Sequence, residues 1–85
     1  MTVVSDPSLV AVVSGAASGI GAAVAAELSD RGWRVAGLDL APSGWDLGLV
    51  VDMADPVAVA SAVHQVEADL GPVSAVVSAA GHYAI

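Results

Sequence analysis

Apolar residues fall along this chain in short unbroken runs, separated by longer stretches where they recur every three or four positions. Leu9–Ser14 (L-V-A-V-V-S) is almost wholly apolar, the pattern of a strand covered on both faces. A helix is expected from about Gly19 to Arg31, with Ile20, Val24 and Leu28 on one face and Gly32 suited to its C-terminal cap. Trp33–Leu40 reads as a second strand carrying Asp39 at its end. Ala41-Pro42-Ser43-Gly44 reads as a turn, and Leu47–Val51 as a third strand ending at Asp52. Asp55-Pro56 then opens a second helix, because aspartate caps first-turn amides and proline is tolerated at the first helical position. Val59, Val63, Val66 and Leu70 line one face of that helix, and Gly71-Pro72 stops it. Val73–Ser78 is the fourth strand, leading into Ala79-Ala80-Gly81.

The sum is β-α-β-β-α-β, with a link between the second and third strands too short for a full crossover helix. Right-handed crossovers then favour a parallel sheet with helices on its faces, an α/β, doubly wound, Rossmann-like arrangement. The chain shows no repeat, linker or low-complexity tail, so residues 1–85 are expected to form one domain.

Composition adds a constraint. The chain is 56% hydrophobic and 13% charged over 85 residues, with a mean hydropathy of +0.80. So small a domain has difficulty covering that much apolar surface. A burying partner is therefore expected: a missing second half, another subunit or a membrane. The membrane reading draws on the uncharged stretch Pro7–Ala26 and the GxxxG spacing of Gly15 and Gly19. Asp6 and Glu27 flank that stretch without a basic anchor, which counts against it. Met1 to Ser8 also lacks the basic start of a signal peptide, and a cytoplasmic location is expected.

Nine acids stand against Arg31 and Arg34, for a net charge of −7. No basic patch for nucleic acid can be built from two arginines, and anionic membrane surfaces are disfavoured for the same reason. Without cysteine there is no disulfide or thiolate metal site, and His64 and His82 do not make a metal centre.

The candidate chemistry begins at Ser14–Gly21, S-G-A-A-S-G-I-G, between the first strand and the first helix. Gly15 permits a tight turn, Gly19 lets the backbone approach a pyrophosphate, and Gly21 lets the helix pack closely. A glycine-rich turn feeding a helix N-terminus brings backbone N–H groups and a positive helix end together, which suits a dinucleotide. Asp39, about twenty residues beyond the loop, can accept hydrogen bonds from adenosine ribose hydroxyls and would repel a 2′-phosphate. No cation stands at Ser18, Leu40 or Ala41 to receive such a phosphate, so NAD(H) is expected over NADP(H). Asp52 can accept from the adenine amino group; the plainer alternative for it is a turn residue, and Asp55 is an N-cap.

These residues together resemble the short-chain dehydrogenase/reductase family. S-G-A-A-S-G-I-G is similar to its T-G-x-x-x-G-x-G loop, with Ser14 in the threonine position. V-V-D-M-A-D (residues 50–55) resembles its D-x-x-D element, and Val76-Val77-Ser78-Ala79-Ala80-Gly81 resembles its N-N-A-G segment. The resemblance implies a sheet of order 3-2-1-4. It also implies that Gly15, Ser18, Gly19 and Ile20 surround cofactor phosphates and ribose. Asp39 would select the adenosine ribose, Asp52 with the Met53 backbone would hold adenine, and Ala80 and Gly81 would pass near the nicotinamide ribose. Ser78 and Ala79 replace both asparagines of N-N-A-G, which implies weaker bracing of the central sheet.

In the family a serine and a Tyr-x-x-x-Lys pair carry out the proton transfer coupled to hydride transfer. These 85 residues contain no lysine, and Tyr83 is their only tyrosine. The expected function is thus the NAD(H)-binding N-terminal portion of an oxidoreductase that interconverts a secondary alcohol and a ketone, cut after the fourth strand. The cut implies self-association or a missing C-terminal half covering that strand. The competing reading is a non-catalytic nucleotide-binding or interaction module. His82 and Tyr83 are expected to start a further helix, and Trp33 and Trp45 to pack on the sheet or its edge.

Overall fold

The computed structural model describes residues 8–79. Six elements follow in chain order: β1 (Val10–Ser14), α1 (Gly19–Asp30), β2 (Arg34–Asp39), β3 (Leu47–Val50), α2 (Pro56–Asp69) and β4 (Ala75–Ser78). The strands form one sheet of order β3-β2-β1-β4, parallel at every pairing. This is the Rossmann-like α/β arrangement expected, and no helix joins β2 to β3.

β1 is buried along its whole length because each helix covers one face of it. Val10 and Val12 face α2, in a core completed by Ala36, Leu38, Val51, Ala62 and Val66. Ala11 and Val13 face α1, with Ala16, Ala25, Leu28 and Val35; Trp33 and Trp45 pack against this second cluster. Period-two alternation sends successive side chains to opposite cores, so a strand between two helix layers has no polar face.

Three expectations are corrected. Ile20 is not on the buried face of α1 but 76% exposed. The buried residues of that helix are Gly21, Ala25 and Leu28, since the bare face of Gly21 lies against the backbone of Gly15. In α2, Ala62 and Val66 are buried, with Ala58, Val59 and Leu70 packed beside them, whereas Val63 is only half-buried. β4 starts two residues later than expected. Its ladder with β1 opens through Ser74, whose N–H donates to the Val10 carbonyl at 2.8 Å and whose Oγ accepts from Val10 N–H at 3.2 Å. A hydroxyl here takes the place of a strand carbonyl.

The helix ends are well defined. Gly32 N–H donates to the Ser29 carbonyl at 3.0 Å and Trp33 N–H to the Leu28 carbonyl at 3.1 Å, the paired bonds of a Schellman motif. That use of the Trp33 amide holds the residue outside β2. Asp55 caps α2, its Oδ1 accepting from Val57 and Ala58 N–H at 3.0 and 3.2 Å.

Candidate functional site

The C-terminal ends of β1 and β2 form the site, where the chain order of the sheet reverses around β1 and a crevice opens in doubly wound folds. β1 runs into Gly15, which takes the left-handed region at φ 70°, and Gly19 takes it again at φ 63°. These two turns bring the chain from the strand into the first turn of α1. Gly21 is required for space: a Cβ there would overlap the Gly15 carbonyl. The helix thus seats on the loop's own first peptide.

The loop is tied to β2. Gly15 N–H donates to the Leu38 carbonyl at 2.8 Å, and Ala17 N–H donates to Asp39 Oδ2 at 3.0 Å. The second oxygen, Oδ1, accepts from Ala41 N–H at 3.1 Å. Asp39 is therefore both a strand-end carboxylate facing the site and a brace between the loop and the residues after β2.

Ser18 occupies the N-cap of α1 in extended conformation, and its side chain makes no capping hydrogen bond; the first turn also holds no acidic residue. The amides of Gly19, Ile20 and Gly21 have no intrahelical acceptor by the geometry of a helix start. They lie at the positive end of the helix dipole. Neither arginine neutralises an anion there. Arg31 pairs with Glu27 at 2.8 Å at the far end of α1, and Arg34 Nη1 donates to the Leu70 carbonyl at 2.7 Å at the end of α2. Anion binding at this edge falls to backbone amides.

Asp52 follows β3, one strand further out. Its Oδ1 accepts from Ala54 N–H at 2.9 Å, a local turn bond of the kind aspartate makes two residues on. Met53 packs against the α2-side core. The structure brings Gly15, Ser18, Gly19, Ile20, Gly21 and Asp39 together, while Asp52 and Met53 sit at the neighbouring strand end. Ala80, Gly81, His82 and Tyr83 lie outside the described residues.

Two contributors escape sequence reasoning. Ser14 Oγ donates to the Val77 carbonyl at 3.4 Å and accepts from Ala79 N–H at 3.3 Å, so a hydroxyl on β1 ties it to β4 at the site edge. Trp45 Nε1–H donates to the Ala16 carbonyl inside the glycine loop at 2.9 Å. Beside this contact lies an open cleft of about 330 Å³ lined by Ala16, Ala17, Ala22 and Pro42 to Trp45. Among the described residues no group of three or more His, Cys, Asp or Glu could hold a metal ion. No helix there is long and apolar enough to cross a membrane.

The uncapped amides at the start of α1 and the left-handed turns at Gly15 and Gly19 fit the phosphates of a dinucleotide. Comparison with known proteins agrees. D-threitol dehydrogenase of Mycolicibacterium smegmatis is 36% identical over 85 residues, covering 85% of this chain and 33% of that protein. Acetoacetyl-CoA reductase of Synechocystis is 40% identical over 75 residues, covering 85% of this chain and 31% of the relative. The ligand-free aldohexose dehydrogenase of Thermoplasma acidophilum superposes with a TM-score of 0.79 at 29% identity, over 86% of this chain and 29% of that one. The chain spans about a third of the length of the relatives it matches. A family model described as short chain dehydrogenase matches residues 9–85, and with the loop, the sheet order and the strand-end aspartates in place, the chain belongs to that family.

Proposed function

We propose that this chain is the dinucleotide-binding N-terminal portion of an NAD(H)-dependent dehydrogenase acting on a secondary alcohol or ketone. The observation that carries the reading is the Ala17 N–H to Asp39 Oδ2 bond at 3.0 Å. It sets the only strand-end carboxylate of β2 beside a glycine loop whose helix amides are left for an anion. Gly19, Ile20 and Gly21 would donate to the pyrophosphate, and Ser18 and Gly15 would border it. Asp39 would accept from the adenosine ribose, with Asp52 and Met53 toward adenine and Ala80 and Gly81 toward the nicotinamide. The bound nicotinamide would supply or receive a hydride.

The same carboxylate disfavours a 2′-phosphate, and Ala17, Ala41 and Pro42 offer no cation to offset it. Calorimetric titration of the full chain should therefore show NAD binding at least tenfold tighter than NADP, on the scale of one unfavourable charge pair near a surface. The Asp39→Asn variant should narrow that ratio. Equal affinity for both cofactors in the unmodified chain would remove the reading of Asp39.

Within these 85 residues the Tyr-x-x-x-Lys pair cannot be assembled, since lysine is absent. Binding without turnover is the expected behaviour of the chain alone, in one unit and in a cytoplasmic setting. β4 is one of the two outer strands among the described residues, and Val76 on it is 70% exposed. We infer that further chain or a second copy covers this edge, which light scattering on the purified chain distinguishes.

A further inference from the structure

The link between β2 and β3 is seated on a floor from which two side chains are missing. Gly37 and Gly48 are cross-strand partners. A Cβ on Gly37 would lie 2.7 Å from Ser43 Oγ, 2.8 Å from Trp45 Cδ1 and 3.0 Å from Ala16 Cβ, and one on Gly48 would overlap the Ser43 carbonyl. The paired glycines let the link lie against the sheet and carry the Trp45 indole to the glycine loop. There the indole N–H meets the carbonyl of Ala16 at 2.9 Å.

That carbonyl and the N–H of Ala17 belong to one peptide unit, and a trans peptide points the two groups in opposite directions. The N–H side is taken by Asp39 Oδ2 at 3.0 Å. The 16–17 peptide is therefore gripped at both ends, by an indole donor on one side and a carboxylate acceptor on the other. Rotation of this plane would break both bonds. It would also turn the Ala16 carbonyl toward the Asp39 carboxylate, setting two acceptors against each other within the glycine loop.

We propose that Trp45 is a positioning residue for dinucleotide binding, holding the Ala16–Ala17 peptide in the one orientation that keeps the loop receptive to a pyrophosphate. This role rests on the dinucleotide reading above. Trp45 touches the loop from the cleft side, through Ala16, and acts through that contact.

The test compares the full chain with its Trp45→Phe variant, which keeps an aromatic ring in the cluster and removes the donor. ADP-ribose is the probe, followed by calorimetry, and amide hydrogen exchange is followed residue by residue. Loss of one net hydrogen bond predicts about fivefold weaker ADP-ribose binding. The Ala17 amide should exchange several-fold faster while the amides of β1 keep their protection, because only the local opening is eased. Both changes are required; either one alone overturns the role. Absence of ADP-ribose binding by the unmodified chain overturns the dinucleotide reading and this role with it. Binding by the unmodified chain with undiminished affinity in the variant overturns this role alone. If Trp45→Phe does not fold, replacing the indole by benzothiophene keeps its shape, removes the N–H, and is judged by the same two measurements.

Discussion

The two helices of this chain begin in opposite ways. α2 is closed at its start: Asp55 accepts from two first-turn amides and Pro56 brings no N–H at all. α1 begins with serine, also a strong capping residue, yet the Ser18 side chain takes no amide and no acidic residue follows in the first turn. The third helical position differs as well, being half-buried Ala58 in α2 and Gly21, bare against the Gly15 carbonyl, in α1. One N-terminus uses its donors within the fold, and the other leaves them without a side-chain acceptor, as the proposed anion site requires. The stability forgone at α1 is about 1 kcal/mol, the usual worth of a cap.

The sharpest way to break the contrast is at the third position. Gly21→Ala should destabilise the chain by about 3 kcal/mol, at the upper end for an overpacked site, because the methyl group meets backbone that cannot swing aside. Chemical denaturation reads this directly, and NAD binding should fall below detection. The reciprocal change in α2, Ala58→Gly, is a useful control, with a cost near 1 kcal/mol from propensity alone.

A smaller effect of more diagnostic shape is expected from Ser18→Asp, which gives α1 the start that α2 already has. The new carboxylate should cap the free amides and face the helix dipole favourably, adding about 0.5–1 kcal/mol to stability. Dinucleotide affinity should drop about tenfold as the anion site is occupied from within the chain. Opposite movement of the two readouts, melting and titration, is the signature; a variant that gains stability and still binds NAD fully would dissolve the distinction between the helices.

Least is expected from Asp55→Ala. Removing the α2 cap should cost about 1 kcal/mol in denaturation and leave NAD affinity unchanged, since the cap serves the fold only. A drop in affinity beyond that explained by unfolding would mean that the α2 start also belongs to the site.

Much of this is legible in the sequence. The unbroken apolar run of β1, the Asp-Pro start of α2 and the glycine spacing after Ser14 each record a local requirement, and each led to the element in its place. Asp39 was legible as a strand-end carboxylate beside the glycine loop because its distance from the loop in sequence matches one βαβ unit. Its second task, gripping the Ala17 amide, was not, since that bond depends on how β2 lies beside β1. Trp45 left a fainter trace: two lone glycines in adjacent strands, with serine and tryptophan in the short link between them, signal that something packs where their side chains are missing.

The sequence by itself determined the order and type of the elements, the parallel sense of the sheet and which residues stand at its edge. Periodicity, caps and turn glycines act over a few residues, and those interactions survive in any arrangement that keeps the chain order. Only the tertiary structure decided which face of α1 is buried, and it chose bare Gly21 over Ile20. It likewise decided that serine hydroxyls close the β1–β4 ladder at both ends and that an indole holds the glycine loop. Those outcomes depend on the meeting of segments far apart in the chain, and periodicity states that a residue is buried without stating against what.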